Sequence, residues 1–182
     1  MTLLKILLAG AALVSGNAFA QAYVIGGVGG SHLNADCNGT TSCGNSSTAA
    51  KITGGYSFGK GFSAELGYVS FGAPKSSIGS IEQELTTDAW TLAAAYTLPF
   101  SQQWSGIARL GIASVNSKSS VRLGSASGSQ SETNTAAYVG LGVDYAFTKN
   151  VKLEGAIDLS ASKFGNQTGG VQAYTVGLRY DF

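Results

Sequence analysis

The final stretch of the chain, residues 170–182, reads GVQAYTVGLRYDF. Its even positions are Tyr174, Val176, Leu178, Tyr180 and Phe182, all apolar or aromatic. Its odd positions from Ala173 on are Ala173, Thr175, Gly177, Arg179 and Asp181, all small or charged. Successive side chains of a strand point to opposite faces, so this segment has one greasy face and one polar face. The chain then stops on an aromatic ring. A terminal strand with unpaired backbone along one side needs a partner, and pairing with the first strand supplies one by closing a barrel. Aromatic rings also collect at a lipid–water interface. The segment therefore reads as the closing strand of a β-barrel that spans a membrane.

The other end of the chain agrees. Residues 1–20, MTLLKILLAGAALVSGNAFA, carry one early lysine, Lys5, an apolar run, and Ala18-Phe19-Ala20 as a small-x-small cleavage pattern. The run is shorter than the roughly 20 residues a spanning helix needs. We read residues 1–20 as a cleaved secretory signal and residues 21–182 as one barrel domain. Without Lys5 the mature chain has equal numbers of basic and acidic residues, which gives no footing for nucleic acid. No later stretch is apolar for a helix-spanning length, so any membrane crossing is by strands. The two cysteines, Cys37 and Cys43, lie close together in NADCNGTTSCGN. An exported chain meets an oxidising compartment, and this spacing predicts a small local disulfide. Zinc needs four ligands and His32 is the single histidine, so no metal or cofactor is expected.

Between these ends the chain breaks into eight alternating segments, at 22–33, 49–58, 62–71, 85–100, 104–116, 134–147, 151–163 and 170–182. In the second, Ile52, Tyr56 and Phe58 oppose Lys51, Thr53 and Ser57. In the third, Phe62, Ala64, Leu66 and Tyr68 oppose Ser63, Glu65 and Gly67. The fourth shows Trp90, Leu92, Ala94, Tyr96 and Leu98 on its apolar face, and Pro99 marks where the ladder should end. The sixth sets Val139, Leu141, Val143 and Tyr145 against Gly140, Gly142 and Asp144. The first is rich in glycine and gives no clear outward face.

Connections alternate in length. Short turns fall around Lys60, around Ser101-Gln102 and around Lys149, while 34–48, 72–84, 117–133 and 165–169 read as longer or more polar loops. Outer-membrane barrels have short periplasmic turns and longer external loops, and both termini are then periplasmic. Phe58, Phe62, Phe100, Trp104, Tyr145, Phe147, Tyr180 and Phe182 gather at the short-turn ends. Tyr68, Phe71, Trp90, Phe164 and Tyr174 form a sparser set toward the other ends. Two aromatic girdles are what a bilayer imposes. A soluble barrel turns its polar face to water, but the polar face here has too few charges and too many small residues for that.

Several pieces resemble the small eight-stranded outer-membrane barrels of the OmpA-like transmembrane-domain family. They are Gly54-Gly55-Tyr56-Ser57-Phe58, the segment from Phe62 to Tyr68, the segment from Tyr138 to Phe147, and Gly177-Leu178-Arg179-Tyr180-Asp181-Phe182. The cysteine pair in the first long loop is also similar to many members. The resemblance implies an all-β, eight-stranded antiparallel up-and-down transmembrane barrel in the outer membrane of a Gram-negative bacterium. It also implies insertion by the outer-membrane assembly machinery, which reads a terminal aromatic strand and so would read Tyr180 and Phe182. A departure lies around Leu153-Glu154-Gly155-Ala156, where family members often carry an aromatic and this chain has small residues. The chain stops at Phe182, so the peptidoglycan-binding module of longer relatives, and with it a cell-wall tether, is not implied.

The inward face gathers Lys51, Glu65, Arg109, Asp144, Lys152, Glu154, Asp158, Arg179 and Asp181. An eight-stranded barrel is narrow enough for side chains to fill it, and charges of both signs there should pair across the lumen. The expected function is a monomeric outer-membrane barrel in the lipid bilayer, structural or weakly pore-forming, with its lumen closed by those charges. Adhesion or host-factor binding through the external loops is the alternative, although the loops offer no aromatic or arginine anchor. A lipid A-modifying enzyme is the third reading. Ser31 and His32 are sequence neighbours and so face opposite sides of a strand, which denies the hydroxyl its base; no catalytic residue is assigned. Gly26-Gly27-Val28-Gly29-Gly30 is followed by no helix pattern, and serves close packing rather than a nucleotide.

Overall fold

Alternating residues make strands here because each strand meets lipid on one side and a filled lumen on the other. The computed structural model describes residues 22–33, 42–43, 46–72, 75–78, 81–123, 126–164 and 167–182. The expected signal segment lies outside them. The elements are β1 (Ala22–Leu33), β2 (Ser42–Cys43), β3 (Ser46–Gly59), β4 (Phe62–Ser70), β5 (Lys75–Ile78), β6 (Ile81–Pro99), β7 (Trp104–Leu123), β8 (Ala126–Ala146), β9 (Val151–Phe164) and β10 (Gln167–Asp181). All but the short β2 and β5 close into an eight-stranded antiparallel barrel. The terminal strand does close it: β10 pairs with β1 from Tyr23↔Asp181 to Leu33↔Val171, and the Phe182 amide donates to the Ala22 carbonyl at 2.9 Å.

Parity along each strand is as the sequence requires. Ile52, Leu66, Leu92, Leu110, Leu141, Val176 and Leu178 face outward and are exposed, while Lys51, Glu65, Arg109, Glu154 and Arg179 are buried inside. Glycine-rich β1 settles on Tyr23, Ile25 and Ser31 inward and Val24 and Val28 outward. The outward row of β10 from Tyr174 to Phe182 spans roughly 20 Å along the normal of a barrel whose strands tilt about 40°. With its ring girdles added, that approaches the roughly 25 Å apolar band of an outer-membrane barrel.

Short turns close one end of the barrel. Gly59, Lys60 and Gly61 all take left-handed φ values of 87°, 54° and 83°, which glycine tolerates best, and they bring β3 directly into β4. Ser101 Oγ accepts from the Gln103 and Trp104 amides, and Thr148 Oγ1 accepts from those of Asn150 and Val151. β6 ends at Pro99, as expected.

The opposite end departs from expectation. Residues 117–133 read as a loop, yet β7 and β8 run on as a ladder from Ser117↔Glu132 to Leu123↔Ala126. β6 keeps pace with them as far as Ile81↔Leu123. Within 72–84, β5 folds back on β6, and β2 within 34–48 pairs with β5. The inward Ser117 and Ser119 are buried, yet they are as small and polar as their outward neighbours, so the stretch carries no apolar alternation to read. The ladder between β8 and β9 stops at Val139↔Leu159, so β8 continues beyond it paired only with β7 among the described residues.

Candidate functional site

The site is the filled lumen. Its centre is Arg109 on β7, 2 % exposed, which has two carboxylates to hold. Its Nε lies 2.6 Å from Glu65 Oε2 on β4, and its Nη2 lies 2.8 Å from Glu154 Oε2 on β9. In the ring of strands β4 and β9 stand diametrically opposite, so one guanidinium ties together two sides of the barrel. A planar guanidinium suits this task because its donors diverge in a fixed fork. Lys51 on β3 continues the network, with Nζ 3.3 Å from Glu154 Oε1 and 2.9 Å from Asp158 Oδ2. Tyrosine hydroxyls cap both ends: Tyr23 donates to Glu65 Oε1 at 2.7 Å, and Tyr138 donates to Asp158 Oδ1. The result is one chain of contacts, Tyr23–Glu65–Arg109–Glu154–Lys51–Asp158–Tyr138.

A second cluster lies toward the short turns. Arg179 Nη2 and Nε lie 2.8 and 2.9 Å from Asp181 Oδ1, and Lys152 Nζ lies 2.9 Å from Asp181 Oδ2. The Arg179 guanidinium also stacks 3.6 Å over the Tyr23 ring. Asp144 is the odd member. It is 1 % exposed, neither carboxylate oxygen has a hydrogen bond, and its nearest cation is Arg179 Nη1 at 3.8 Å. Directly across the ladder sits Glu154. Asp144 is therefore held by charge alone. Below this cluster the barrel mouth opens as a depression of about 530 Å³, lined among others by Lys60, Tyr96, Gln103, Lys152, Arg179 and Asp181.

Toward the long loops the charges give way to small and apolar side chains, with Ser31, Thr87, Ser117 and Ser119 the polar ones buried among them. Ala49, Val69, Phe71, Ala89, Ala93, Ala113, Val115, Tyr138, Val171 and Ala173 form one buried cluster above the ionic network. Phe71 corrects an expectation: it does not join the outer girdle but points inward, 2 % exposed. It shares parity with the inward-facing Ser63, Glu65 and Val69, so the strand carries its ring into the lumen. Phe164's side chain lies outside the described residues.

The structure thus places Lys51, Glu65, Arg109, Asp144, Glu154, Asp158, Arg179 and Asp181 inside, with Lys152 at the mouth, and brings them into the two clusters above. Tyr180 and Phe182 face outward, their rings 5.1 Å apart. Cys37 lies outside the described residues, as does the side chain of Cys43, and with them the expected bridge. Ser31 turns inward and donates to the Phe71 carbonyl, while His32 meets Ser46 Oγ at 3.2 Å on the opposite face. Sequence reasoning missed the two capping tyrosines. Tyr138 was readable from its parity with Gly140 and Asp144, whereas Tyr23 sits in the glycine-rich strand whose faces the sequence left open.

Among known proteins, a family model described as an outer membrane protein beta-barrel domain matches residues 2–182. No curated protein matches the chain. Among solved structures, Neisserial surface protein A is 18 % identical, with 91 % of this chain and 100 % of that one covered and a TM-score of 0.65. Ail, the attachment invasion locus protein of Yersinia pestis, in complex with the heparin analogue sucrose octasulfate, is 14 % identical over 90 % and 99 % of the two chains, at 0.60. The N-terminal β-barrel domain of Pseudomonas aeruginosa OprF is 15 % identical over 88 % and 97 %, at 0.55. At these identities the likeness is one of fold.

Proposed function

This chain belongs to the outer membrane protein β-barrel family, and from that premise we propose that it is a structural outer-membrane barrel whose lumen is closed. The observation that carries this reading is the Arg109 fork between Glu65 and Glu154, drawn from opposite strands, with apolar side chains stacked above it. A permeating ion would have to displace a buried guanidinium from two carboxylates and then cross an apolar layer. Each step is unfavourable by several kcal/mol for an unpaired charge. The barrel on this reading sits as a monomer, without enzymatic chemistry, its short turns and depression toward the periplasm and its long-loop end outside the cell. Residues 1–20 are removed on export, Cys37 and Cys43 bridge the first external loop, and the assembly machinery engages Tyr180 and Phe182.

Single-molecule recordings in planar bilayers test the closed lumen. Purified barrel should insert without a steady conductance step. Uniform open steps in most insertions would refute closure and favour the pore reading.

Adhesion through the external end is the second reading. It is favoured by the ladder of β6, β7 and β8 that stands beyond the apolar band, a rigid platform rather than a loose loop. The fold likeness to Ail, an attachment protein by its description, is consistent with it.

A further inference from the structure

Among the described side chains, the exposed charges at the short-turn end are both lysines. Lys60 stands at the tip of the β3–β4 turn and Lys149 at the tip of the β8–β9 turn, and neither is ion-paired among the described residues. The acids toward this end, Asp144 and Asp181, are buried in the lumen, and Asp181 is held there by Arg179 and Lys152. The third turn, Ser101-Gln102-Gln103, carries no charge. In the ring of strands the β3–β4 and β8–β9 pairs stand opposite each other, so the two lysines flank the mouth from two sides.

Both tips stand at the edge of the lipid face. Phe58 and Phe62 bracket Lys60 two residues away on either side, and Phe147 precedes Lys149 by two; all three rings are exposed on that face. Interfacial rings lie at headgroup depth, and a lysine stem starting there places its ammonium among phosphates. The backbone at Lys60 adds a second, independent sign. Its φ of 54° lies in the left-handed region, between Gly59 at 87° and Gly61 at 83°. A third glycine would suit this tip better, because a Cβ is unfavourable there. A long side chain at a position that disfavours any side chain points to a use for its end group. Lys60 also lines the depression at the mouth together with Tyr96 and Trp104, whose rings are exposed on the lipid face. One stretch of rim thus carries the ammonium and the lipid-facing rings together.

We propose that the short-turn end is a docking surface for anionic phospholipid headgroups of the leaflet around it, with Lys60 as the principal phosphate contact and Lys149 as its counterpart across the mouth. Charge complementarity names the partner, since two exposed cations with no exposed acid beside them attract a surface of net negative charge. Depth makes that surface a lipid leaflet and not a soluble polymer, because each lysine is two residues from a ring on the lipid face. This goes beyond the closed-lumen reading and does not depend on it, since conductance reports the lumen and lipid preference reports the rim.

The test uses the full barrel carrying Trp90→Phe, which leaves Trp104 as the sole tryptophan, folded into phosphatidylcholine vesicles. Quenching of Trp104 by phosphatidylglycerol brominated near the headgroup is compared with quenching by phosphatidylcholine brominated at the same place, at equal mole fraction. The ratio gives the relative affinity of the two lipids for this stretch of rim. One lysine beside an anionic surface is worth about a fivefold preference, so phosphatidylglycerol should be favoured by about that factor and lose the advantage in high salt. Lys60→Gly supplies the residue the backbone favours at that φ, so it should fold at least as well and bring the two lipids to equality. Lys60→Arg keeps the charge and should keep the preference. Heat-modifiable gel mobility identifies the folded variants. Equal quenching by the two lipids in the Trp90→Phe barrel overturns the proposal, as does an undiminished preference in folded Lys60→Gly.

Discussion

Removing Arg109 tests whether the lumen is held by charge matching or merely tolerates charge. In Arg109→Ala, Glu65 keeps only the Tyr23 hydroxyl at 2.7 Å, and Glu154 keeps only Lys51 at 3.3 Å. Glu154 and Asp158 then share the ammonium of Lys51, and Glu65 has lost the cation it touched. Breaking a buried pair by deleting one partner costs about 3–5 kcal/mol, because the surviving charge stays out of water. Here two survivors remain and each retains one partner, so we expect about 4 kcal/mol, within that range. The decisive comparison is Arg109→Met combined with Glu65→Gln and Glu154→Gln. It removes the charges together and should recover to within about 1–2 kcal/mol of wild type, since replacing a whole buried ionic group is often near neutral. Equilibrium urea unfolding in lipid vesicles, followed by gel mobility, measures both. A single-variant loss below about 1 kcal/mol would refute the reasoning, as would a triple variant no more stable than Arg109→Ala.

Three further outcomes follow from the same geometry. Gly55→Val should destabilise the barrel by about 2–4 kcal/mol in the same unfolding assay, because a Cβ there runs into the Tyr23 ring and displaces it from Glu65 and Arg179; an unchanged midpoint would mean Tyr23 is not fixed as described. Trp90 and Trp104 are both exposed on the lipid face near opposite ends. In single-tryptophan variants, lipids brominated near the headgroup should quench each more than lipids brominated near the chain end, and the reverse order would displace the apolar band. Phe182→Ala should lower the amount of barrel assembled in cells several-fold while leaving refolding into vesicles unchanged, because its exposed ring meets only Tyr180 in ring contact; loss of refolding in vitro would make it a structural residue instead.

Period-two alternation carried most of the fold, for a physical reason. Lipid outside and a narrow lumen inside impose opposite demands on successive residues, so Leu66 and Glu65, or Leu110 and Arg109, declare their faces without any structure. The same rule would have placed Phe71 inside with Glu65 and Val69; proximity to the loop end misled where parity did not. Alternation fails where its cause is missing. Along 117–133 small polar residues stand on both faces, the buried Ser117 and Ser119 included, so the ladder leaves no signature, and in β1 the glycines have no side chains to sort. Partner choice within the lumen was the least readable layer. That Arg109 meets Glu154 and not the neighbouring Asp144 depends on how far the strands are staggered when the sheet closes, which no local pattern records.

The glycines of this chain supply the last link between composition and closure. A lumen holding Arg109, Tyr23 and Tyr138 has no room for side chains opposite them. A Cβ on Gly140 would crowd both Arg109 and Asp158, one on Gly142 would approach the Arg109 Nη1, and Gly55 leaves its space to the Tyr23 ring. Arg109 pairs across the ladder with Gly140, and Tyr23 with Gly55, so large and small alternate around the ring at one height. On the closed-lumen proposal, such packing leaves no continuous path for water beside the guanidinium. On the same proposal, moving Arg109 alone would not open a pore, since Phe71 and the alanine layer stand above it. The abundance of glycine and the ionic network are therefore two halves of one arrangement, in which small residues make way for the long polar side chains that fill the barrel.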